Sequence, residues 1–264
     1  MHWKIRGAVG ALVLTLAACS QTPTGRSQLT LFSDQELDQM GEQSFAQYQQ
    51  QLPTVGGQTA AYVQCVAQAV TQAANTGENW EVKVFKDDSA NAFALPGGHI
   101  GVNTGLLEVA KNQDQLATVI GHEVAHVLAH HANERVSTQA ATQTGLAVLQ
   151  SAAGINSQGG QQLMGLLGMG AEYGIIKPFS RTQESEADVL GLELMAQAGF
   201  DPRASINLWQ NMEANSQGQP PVWMSTHPSH GQRIEDLQAK MDRALDAYQQ
   251  AQASGRTPNC QRPG

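Results

Sequence analysis

Residues 118–133 read TVIGHEVAHVLAHHAN and contain the pattern H-E-x-x-H at positions 122–126. On a helix, residues four apart lie on one face, so the imidazoles of His122 and His126 can converge on a single point. Two neutral imidazole nitrogens at this spacing suit a tetrahedral Zn²⁺ ion. Glu123 is rotated by about 100° from His122, a position from which a carboxylate can act as general base without being a ligand. The pattern therefore predicts a zinc hydrolase with one zinc ion per chain.

Apolar side chains recur at helical spacing through this stretch, which predicts a helix buried in the core. They are Leu116, Val119, Ile120, Val124, Val127 and Leu128. Asn112 and Asp114 precede them as suitable N-capping residues. We expect the helix to continue through His130 and His131, with His130 on the ligand face but outside the ligand set. The reason is that three imidazoles in line along one helix do not close a tetrahedron easily.

The composition of the 264 residues is that of a protein with a core, since 41% are hydrophobic and only 14% are charged. Aromatic residues make up 5%, and Ala, Gln and Gly are plentiful, which favours a helix-rich fold. The formal net charge of −8 argues against non-specific binding to nucleic acid. We therefore expect one domain of ordinary size and no nucleic-acid partner.

Capping signals, periodicity and chain breakers predict the other elements of the fold. The predicted helices cover 33–51, 59–75, 180–198 and 233–251, with another beginning at Asp201, and the predicted strands cover 80–85 and both sides of the turn Pro96-Gly97-Gly98. We expect an α+β, mostly helical, zincin-like fold with a small antiparallel sheet beside the H-E-x-x-H helix. The edge of that sheet could pair with an extended substrate, or the glycines could serve only the turn.

Two segments have less regular sequences. Residues 145–174 are rich in Gly, Ala, Leu and Met. They fit a mobile lid, a membrane or partner surface, or an ordinary buried helical hairpin. Residues 220–232 begin with two prolines and predict a loop.

The amino terminus, MHWKIRGAVGALVLTLAACS, has the pattern of a secretory signal. Lys4 and Arg6 precede an apolar run at 7–18 that is too short to span a bilayer. The run ends in Leu-Ala-Ala-Cys and resembles a bacterial lipobox, in which the cysteine becomes the lipidated first residue of the mature chain. An ordinary signal cleaved near Ala18 is the alternative.

Lipidation at Cys19 would tether the protein to a membrane without a spanning helix. We expect a signal peptide at 1–18 and a lipidated tether at 19–30, whose polar part at 21–28 is flexible. Ser20 follows the cysteine where Asp would retain a lipoprotein in the inner membrane, so resemblance to the sorting rules favours the outer membrane. The predicted location is the periplasmic side of a bacterial membrane.

Cys65 and Cys260 are the remaining cysteines, and an exported protein with two such cysteines can join them. We predict a disulfide that holds a carboxy-terminal tail at 253–264 to an early helix of a metallopeptidase domain at 31–252. Two free thiols are the alternative. Neither cysteine has a Cys or His partner at ligand spacing, so neither is expected to bind metal.

A third protein ligand is needed, and it should come from another helix. The predicted helix at 180–198 carries the acidic side chains Glu184, Glu186, Asp188 and Glu193. Glu184 and Asp188 are four residues apart and share a face, so one could bind zinc while the other supports it. Spacing alone does not separate Glu184 from Glu186 as the ligand.

The H-E-x-x-H pattern, followed by Glu-Ser-Glu-Ala-Asp at 184–188, resembles the gluzincin family of zinc metallopeptidases. That family includes the CAAX prenyl protease, HtpX and the soluble bacterial lipoproteins BepA and LoiP. Asn-Ala at 91–92, Pro-Gly-Gly at 96–98 and Ser-Arg at 180–181 also fit, and the resemblance covers about 31–237. Its transmembrane members have several spanning helices, so the resemblance here is to the soluble lipoprotein branch.

The resemblance implies roles for named residues. His122, His126 and Glu184 carry over as the zinc ligands, and Glu123 carries over as the general base. Asp188 would orient a ligand or donate a proton.

A Ser-Thr-His-Pro segment that contains His227, followed by Arg233, also resembles the lipoprotein branch. His227 would either take the fourth zinc position at rest or donate a hydrogen bond to the oxyanion of the reaction. Arg181 is the other candidate for oxyanion stabilisation, and the sequence does not choose between the two.

These features predict a membrane-tethered, periplasmic zinc endopeptidase in protein quality control of the cell envelope. Its substrates would be unfolded or misassembled envelope proteins, and the outer-membrane assembly machinery is a candidate partner. One alternative is a periplasmic chaperone or assembly factor for outer-membrane proteins whose metal site is latent or structural. A small-molecule zinc hydrolase is a further alternative.

Overall fold

The computed structural model of the protein describes residues 19–152, 179–214, 222–227 and 233–263. Its helices are α1 (Asp34–Gln51), α2 (Gly57–Ala74), α3 (Leu106–Val109), α4 (Gln113–Leu128), α5 (His131–Ala152), α6 (Arg181–Gln197), α7 (Ala204–Ala214), α8 (Val222–Thr226) and α9 (Arg233–Ala253). Its strands are β1 (Cys19–Gln21), β2 (Ser27–Leu29), β3 (Thr54–Val55), β4 (Glu81–Phe85), β5 (Ala92–Leu95) and β6 (His99–Asn103). The predicted α+β, mostly helical class is confirmed.

Side-chain caps set where the site-bearing helices begin. Ser33 caps α1 and forms the predicted capping box with Glu36. The Asn112 side chain accepts a hydrogen bond from the backbone N–H of Gln115 at the start of α4. Ser180 caps α6 as Ser33 caps α1. These caps satisfy backbone donors that the first turn leaves unpaired, so each helix begins at a defined residue.

The four-stranded sheet has the strand order β3-β4-β6-β5, which places β5 at its edge. Strands β5 and β6 form the predicted antiparallel hairpin, in which Leu95 pairs with His99. Gly97 and Gly98 make the turn with φ values of 81° and 78°, a backbone region that favours glycine. Because the hairpin turns back towards the centre, β6 runs parallel to β4. The sheet therefore contains one parallel pair beside its antiparallel pairs.

Helices α4 and α6 cross in close contact at two glycines. A Cβ atom built on Gly121 would lie 2.8 Å from the carbonyl oxygen of Gly191. A Cβ atom on Gly191 would lie 2.7 Å from the backbone nitrogen of His122. These separations are too short for any residue with a side chain, so glycine at both positions permits this crossing. The crossing brings the acidic turn of α6 next to the H-E-x-x-H turn of α4.

The helix that carries H-E-x-x-H ends earlier than the sequence predicts. Helix α4 stops at Leu128, and His130 has a positive φ of 52°. A left-handed residue interrupts the helix, and α5 begins in a new direction at His131. His130 is half-exposed, with its Nδ1 3.7 Å from the Asp34 carboxylate, and it lies outside the ligand cluster. The prediction of one helix through both histidines was wrong.

The segment expected to be a flexible tether instead has regular structure. Strands β1 and β2 pair antiparallel, with Cys19 opposite Leu29. Thr22 and Gln28 are buried, and the Gln28 amide donates a hydrogen bond to the Ala129 carbonyl. The polar side chains of this segment suggested a solvated linker, but they bind residues of α5 and α6 instead. These contacts hold residues 19–29, the N-terminal hairpin, in place.

Three other predictions concern segments at the edges of the described chain. The expected loop at 220–232 contains the short helix α8. The expected lid, surface or hairpin at 145–174 lies mostly outside the described residues, as does the signal peptide at 1–18. Among the helices that are described, none combines the length and the apolar character needed to cross a membrane.

The predicted disulfide between Cys65 and Cys260 is present. It joins α2 to the carboxy-terminal tail. Gln113 at the start of α4 also binds that tail, because its amide donates to the Pro258 carbonyl and accepts from the Cys260 N–H. The tail is thus held against the helix that carries the predicted zinc ligands.

Candidate metal centre

Four buried side chains converge at the crossing of α4 and α6. His122 and His126 come from α4, Glu184 comes from the first turn of α6, and His227 follows α8. One nitrogen or oxygen atom from each lies within 4.8 Å of the corresponding atom of the others. Each of these residues is less than 4% exposed. Burial of so many polar groups is costly, and a metal ion bound by all four would offset that cost.

The spacing of these atoms fits a tetrahedral metal ion. The Nε2 atoms of His122 and His126 are 3.0 Å apart. Each lies 3.5 Å from a carboxylate oxygen of Glu184. His227 Nδ1 lies 3.1 Å from His122 Nε2 and 3.0 Å from Glu184 Oε1. Bonds of 2.0–2.1 Å to zinc place tetrahedral ligand atoms about 3.3 Å apart, and a set of imidazoles and one carboxylate suits zinc.

The structure shows which acidic side chain of α6 lies at the cluster. Glu184 faces the two histidines of α4, whereas Glu186 points away from them. Glu193 forms an ion pair with Arg243. Burial raises the pKa of Glu184, but hydrogen bonds from the three histidines outweigh burial and hold that pKa far below its ordinary value. Glu184 is therefore an ionised carboxylate, which is the form that binds a metal ion.

Asp188 lies one turn beyond Glu184 and contacts the other side of the site. Its Oδ1 is 3.1 Å from Nδ1 of His122. Burial raises the pKa of Asp188, but the charge of Arg233 and the bond to His122 outweigh burial and lower it. An ionised carboxylate there directs the Nδ1 proton of His122 outward and leaves Nε2 free to bind metal.

Arg233, the first residue of α9, is buried between the two carboxylates. Its Nη1 donates to Glu184 at 2.9 Å, and its Nε donates to Asp188 at 2.6 Å. The guanidinium carbon also lies 4.0 Å from the centre of the Trp209 ring. The sequence pattern included Arg233 but assigned it no role, because nothing local to α9 indicates a partner on α6.

Glu123 lies beside the cluster, with its carboxylate anchored. Its Oε1 accepts a hydrogen bond from the indole nitrogen of Trp223 at 2.6 Å. The same oxygen is 3.4 Å from Nε2 of His227. Trp223 is another residue that sequence reasoning missed, since it lies in the segment predicted to be a loop.

His126 has partners behind the cluster as well as within it. Its Nδ1 lies 2.8 Å from Nδ1 of His131, and its ring stacks on Phe179 at 3.9 Å between centroids. Burial lowers the pKa of His126 well below its ordinary value, so the ring is neutral and suited to bind metal.

One of the two residues predicted to stabilise the oxyanion lies outside the cluster. Arg181 is exposed on the first turn of α6, whereas the cluster is buried. His227 is inside the site, where its Nδ1 contacts His122 and Glu184.

A cleft of about 140 Å³ opens onto the cluster. Its walls include the edge strand β5, Glu123, His126, His227 and the ring of Phe179. The arrangement places an exposed strand edge beside a metal centre with an adjacent carboxylate. Chemically, it can hold an extended chain next to a Lewis acid and a general base.

Comparison with known proteins agrees with this geometry. The family model described as Peptidase family M48 matches residues 57–241. The chain is 38% identical over 183 residues to the mitochondrial metalloendopeptidase OMA1 of Schizosaccharomyces pombe, covering 68% of this chain and 52% of that protein. It is 38% identical over 174 residues to the mitochondrial metalloendopeptidase OMA1 of Homo sapiens, covering 63% and 33%.

A second group of relatives is bacterial. The chain is 29% identical over 216 residues to the beta-barrel assembly-enhancing protease of Escherichia coli, covering 78% of this chain and 44% of that protein. The aligned regions span about half or less of the length of these curated relatives.

Proposed function

Because this chain belongs to peptidase family M48, we propose that it is a zinc-dependent endopeptidase centred on His122, His126 and Glu184. One observation carries the proposal: ligand atoms from two helices lie at zinc-binding distances in a buried site, and a cleft leads to them. A structural zinc site would not require an ionisable Glu123 at the mouth of a cleft.

The residues of the proposed zinc site have different roles in peptide hydrolysis. Zinc in this site would supply Lewis-acid activation of water and of the scissile carbonyl. Glu123 takes the proton from the attacking water and then passes it to the leaving amine. Trp223 holds one oxygen of that carboxylate, which leaves the other oxygen for proton transfer. Asp188 and Arg233 keep His122 and Glu184 oriented throughout.

His227 closes the site in the state that the structure shows. Its Nδ1 lies 3.1 Å from Nε2 of His122 and 3.0 Å from Oε1 of Glu184, so His227 would be a fourth ligand to a zinc ion held here, in the position that water or substrate needs. His227 follows the five-residue helix α8, so a local movement there would open this position. We propose that the structure represents a resting state and that His227 withdraws when substrate enters. We propose that the displaced imidazole then donates a hydrogen bond to the oxyanion.

The cleft favours an extended polypeptide as substrate. Strand β5 lies at the edge of the sheet, so its outward backbone groups can pair with a substrate strand. Phe93, Leu95 and Phe179 line the same cleft and suit apolar side chains of the substrate. Extended chains with exposed apolar residues are characteristic of unfolded proteins, which supports a role in protein quality control.

The amino-terminal sequence supports a proposal for the cellular setting. The lipobox-like pattern ending at Cys19 supports a lipid-anchored protein on the periplasmic side of a bacterial membrane, with the outer membrane favoured. The name of the Escherichia coli relative links that protein to β-barrel assembly. We propose that unfolded or misassembled envelope proteins are the substrates here, and the outer-membrane assembly machinery a partner.

A zinc ion with His227 as its fourth ligand would have no position left for water, which favours a second candidate function. A protein whose metal is shielded by His227 could act mainly as a chaperone or assembly factor for outer-membrane proteins. Incubation of the purified protein with casein and with an unfolded outer-membrane porin, with and without chelator, separates the two. Chelator-sensitive cleavage supports the endopeptidase. Suppression of porin aggregation without cleavage, unchanged by chelator, supports the chaperone.

A further inference from the structure

A hydrogen-bonded chain connects the metal ligand His126 to the N-terminal hairpin. His126 Nδ1 is 2.8 Å from Nδ1 of His131, and Nε2 of His131 is 3.3 Å from Oε2 of Glu186. The same Glu186 oxygen accepts from Nε of Arg26 at 2.7 Å. The functions considered so far use none of these last three residues.

Metal binding permits one placement of protons along this chain. If Nε2 of His126 binds metal, its proton must be on Nδ1 and must be donated to Nδ1 of His131. His131 then carries its own proton on Nε2 and donates it to the Glu186 carboxylate. The opposite direction would place a proton on the His126 nitrogen that faces the cluster. It would also leave the unprotonated Nε2 of His131 facing the Glu186 carboxylate, two acceptors with no proton between them. Only the tautomers that leave the ligand nitrogen free give His131 a proton to donate to Glu186.

The break in the helix is what places His131 behind His126. In an uninterrupted helix, a residue five positions on is rotated by about 140° and displaced by about 7.5 Å along the axis. Its ring could not meet Nδ1 of His126. The left-handed His130 ends α4 and redirects the chain, so that His131 starts α5 facing back towards the site.

The hairpin satisfies the carboxylate at the far end of the chain. Thr22 donates its hydroxyl to Oε1 of Glu186 at 2.7 Å, and Thr24 donates to the same oxygen. Arg26 binds Oε2 and also forms a bidentate pair with Glu134. Glu186 is 8% exposed, so the carboxylate depends on these donors for its charge to be compensated.

We propose that His131 and Glu186 are positioning residues that set the tautomer and orientation of the metal ligand His126. The N-terminal hairpin completes this arrangement through Thr22, Thr24 and Arg26. The inference rests on the proposed zinc centre. It means that the metal site is assembled from the catalytic helices together with the segment that follows the lipobox-like cysteine.

Substitution of His131 by two residues of different chemistry tests the proposal. His131→Phe keeps an aromatic ring but removes the acceptor for the His126 proton. His131→Asn places an amide oxygen near the position of Nδ1 and restores an acceptor. Zinc affinity is measured by competition with a chromogenic chelator, and the ligand field by the visible absorption of the Co²⁺-substituted protein.

We expect His131→Phe to bind zinc about 10- to 100-fold more weakly with an altered Co²⁺ spectrum, and His131→Asn to retain most of the affinity. If His131 served only to fill space, His131→Phe would retain more zinc affinity than His131→Asn, since Phe fills the volume of the imidazole better. Wild-type affinity and an unchanged spectrum in His131→Phe would overturn the proposal. Glu193→Gln is the matched control on α6, because Glu193 pairs with Arg243 and not with this chain.

The hairpin is tested separately with Thr22→Val/Thr24→Val, which removes two hydroxyls but no charge. We expect a loss of zinc affinity in this variant that is smaller than in His131→Phe. If His131→Phe does not fold, the double variant still tests the proposal. Unchanged zinc affinity in the double variant would then overturn the proposal. Wild-type protein that binds no zinc would instead refute the proposed function itself.

Discussion

Gly191 of α6 packs directly against the backbone of His122 in α4, with room for a hydrogen but not for a methyl group. This contact sets the distance between the two helices. Glu184 and Asp188 precede Gly191 on the same helix, so their distance to the histidines depends on it. The metal centre is therefore sensitive to a position that carries no functional group.

Gly191→Ala should weaken both the fold and the metal site. A Cβ atom would lie 2.7 Å from the His122 nitrogen, and the helices must separate to admit it. We expect the free energy of unfolding to fall by about 1–3 kcal/mol, with weaker zinc binding. Urea denaturation and chelator competition measure the two effects. Gly56→Ala is the control, because a Cβ atom there meets nothing within 4 Å, and an equal effect in both variants would contradict this account.

Glu123→Gln should keep the zinc ion and lose turnover. The amide retains the shape of the side chain and an acceptor for Trp223, but it cannot take a proton from water. We expect kcat for casein to fall by about 100-fold or more, while the zinc content stays at one ion per chain. Full activity in this variant would show that another group is the base.

His227→Ala should raise peptidase activity if the imidazole blocks the metal at rest. Its removal frees the fourth ligand position while leaving His122, His126 and Glu184 in place. The initial rate of casein cleavage measures the effect. A lower rate would instead indicate that His227 serves the reaction, as a donor to the oxyanion.

Arg233→Gln should destabilise the protein strongly. It leaves the buried carboxylates of Glu184 and Asp188 without their cation. Loss of one partner from a buried ion pair reduces the free energy of unfolding by about 3–5 kcal/mol. Arg243→Gln is the control, since Arg243 is 78% exposed and pairs with Glu193 at the surface, and a change below about 1 kcal/mol is expected there. Similar stabilities of the two variants in urea would contradict the role given to Arg233.

Removal of the metal should lower thermal stability reversibly. A ligand that binds only the folded state stabilises it by about 4 kcal/mol at a thousandfold excess over its dissociation constant. We expect chelator to lower Tm and added zinc to restore it. His126→Ala should abolish this response, whereas Glu123→Gln should retain it because Glu123 is not a ligand. A chelator response in His126→Ala equal to that of the wild type would argue against this centre.

Local patterns in the sequence predicted the parts of the site that depend on local geometry. The four-residue spacing of His122 and His126 places them on one helical face whatever surrounds the helix, since the helical repeat alone determines it. The capping residues Ser33 and Asn112 act on backbone groups two or three residues away, so their effects could also be predicted.

The break at His130 shows where local patterns fail. The apolar repeat continues to Leu128, and neither glycine nor proline follows to indicate an end to the helix. The left-handed conformation of His130 is stabilised by what α5 gains, the burial of His131 against His126 and Glu186. That gain comes from residues distant in sequence, and a helical pattern does not contain it.

By itself, the sequence determined that two imidazoles and a carboxylate lie together on one helix, and that a second helix offers acids at a suitable spacing. Spacing left Glu184 and Glu186 open, and the family resemblance implied Glu184. Only the tertiary structure gives the physical reason that Glu184 faces the histidines, because the crossing at Gly191 sets the rotation of α6 relative to α4. Only the tertiary structure shows that Arg233 binds Glu184 and Asp188, and that residues 19–29 form an ordered hairpin. These contacts join residues far apart in the chain, and buried charge is stabilised only when such partners meet in space.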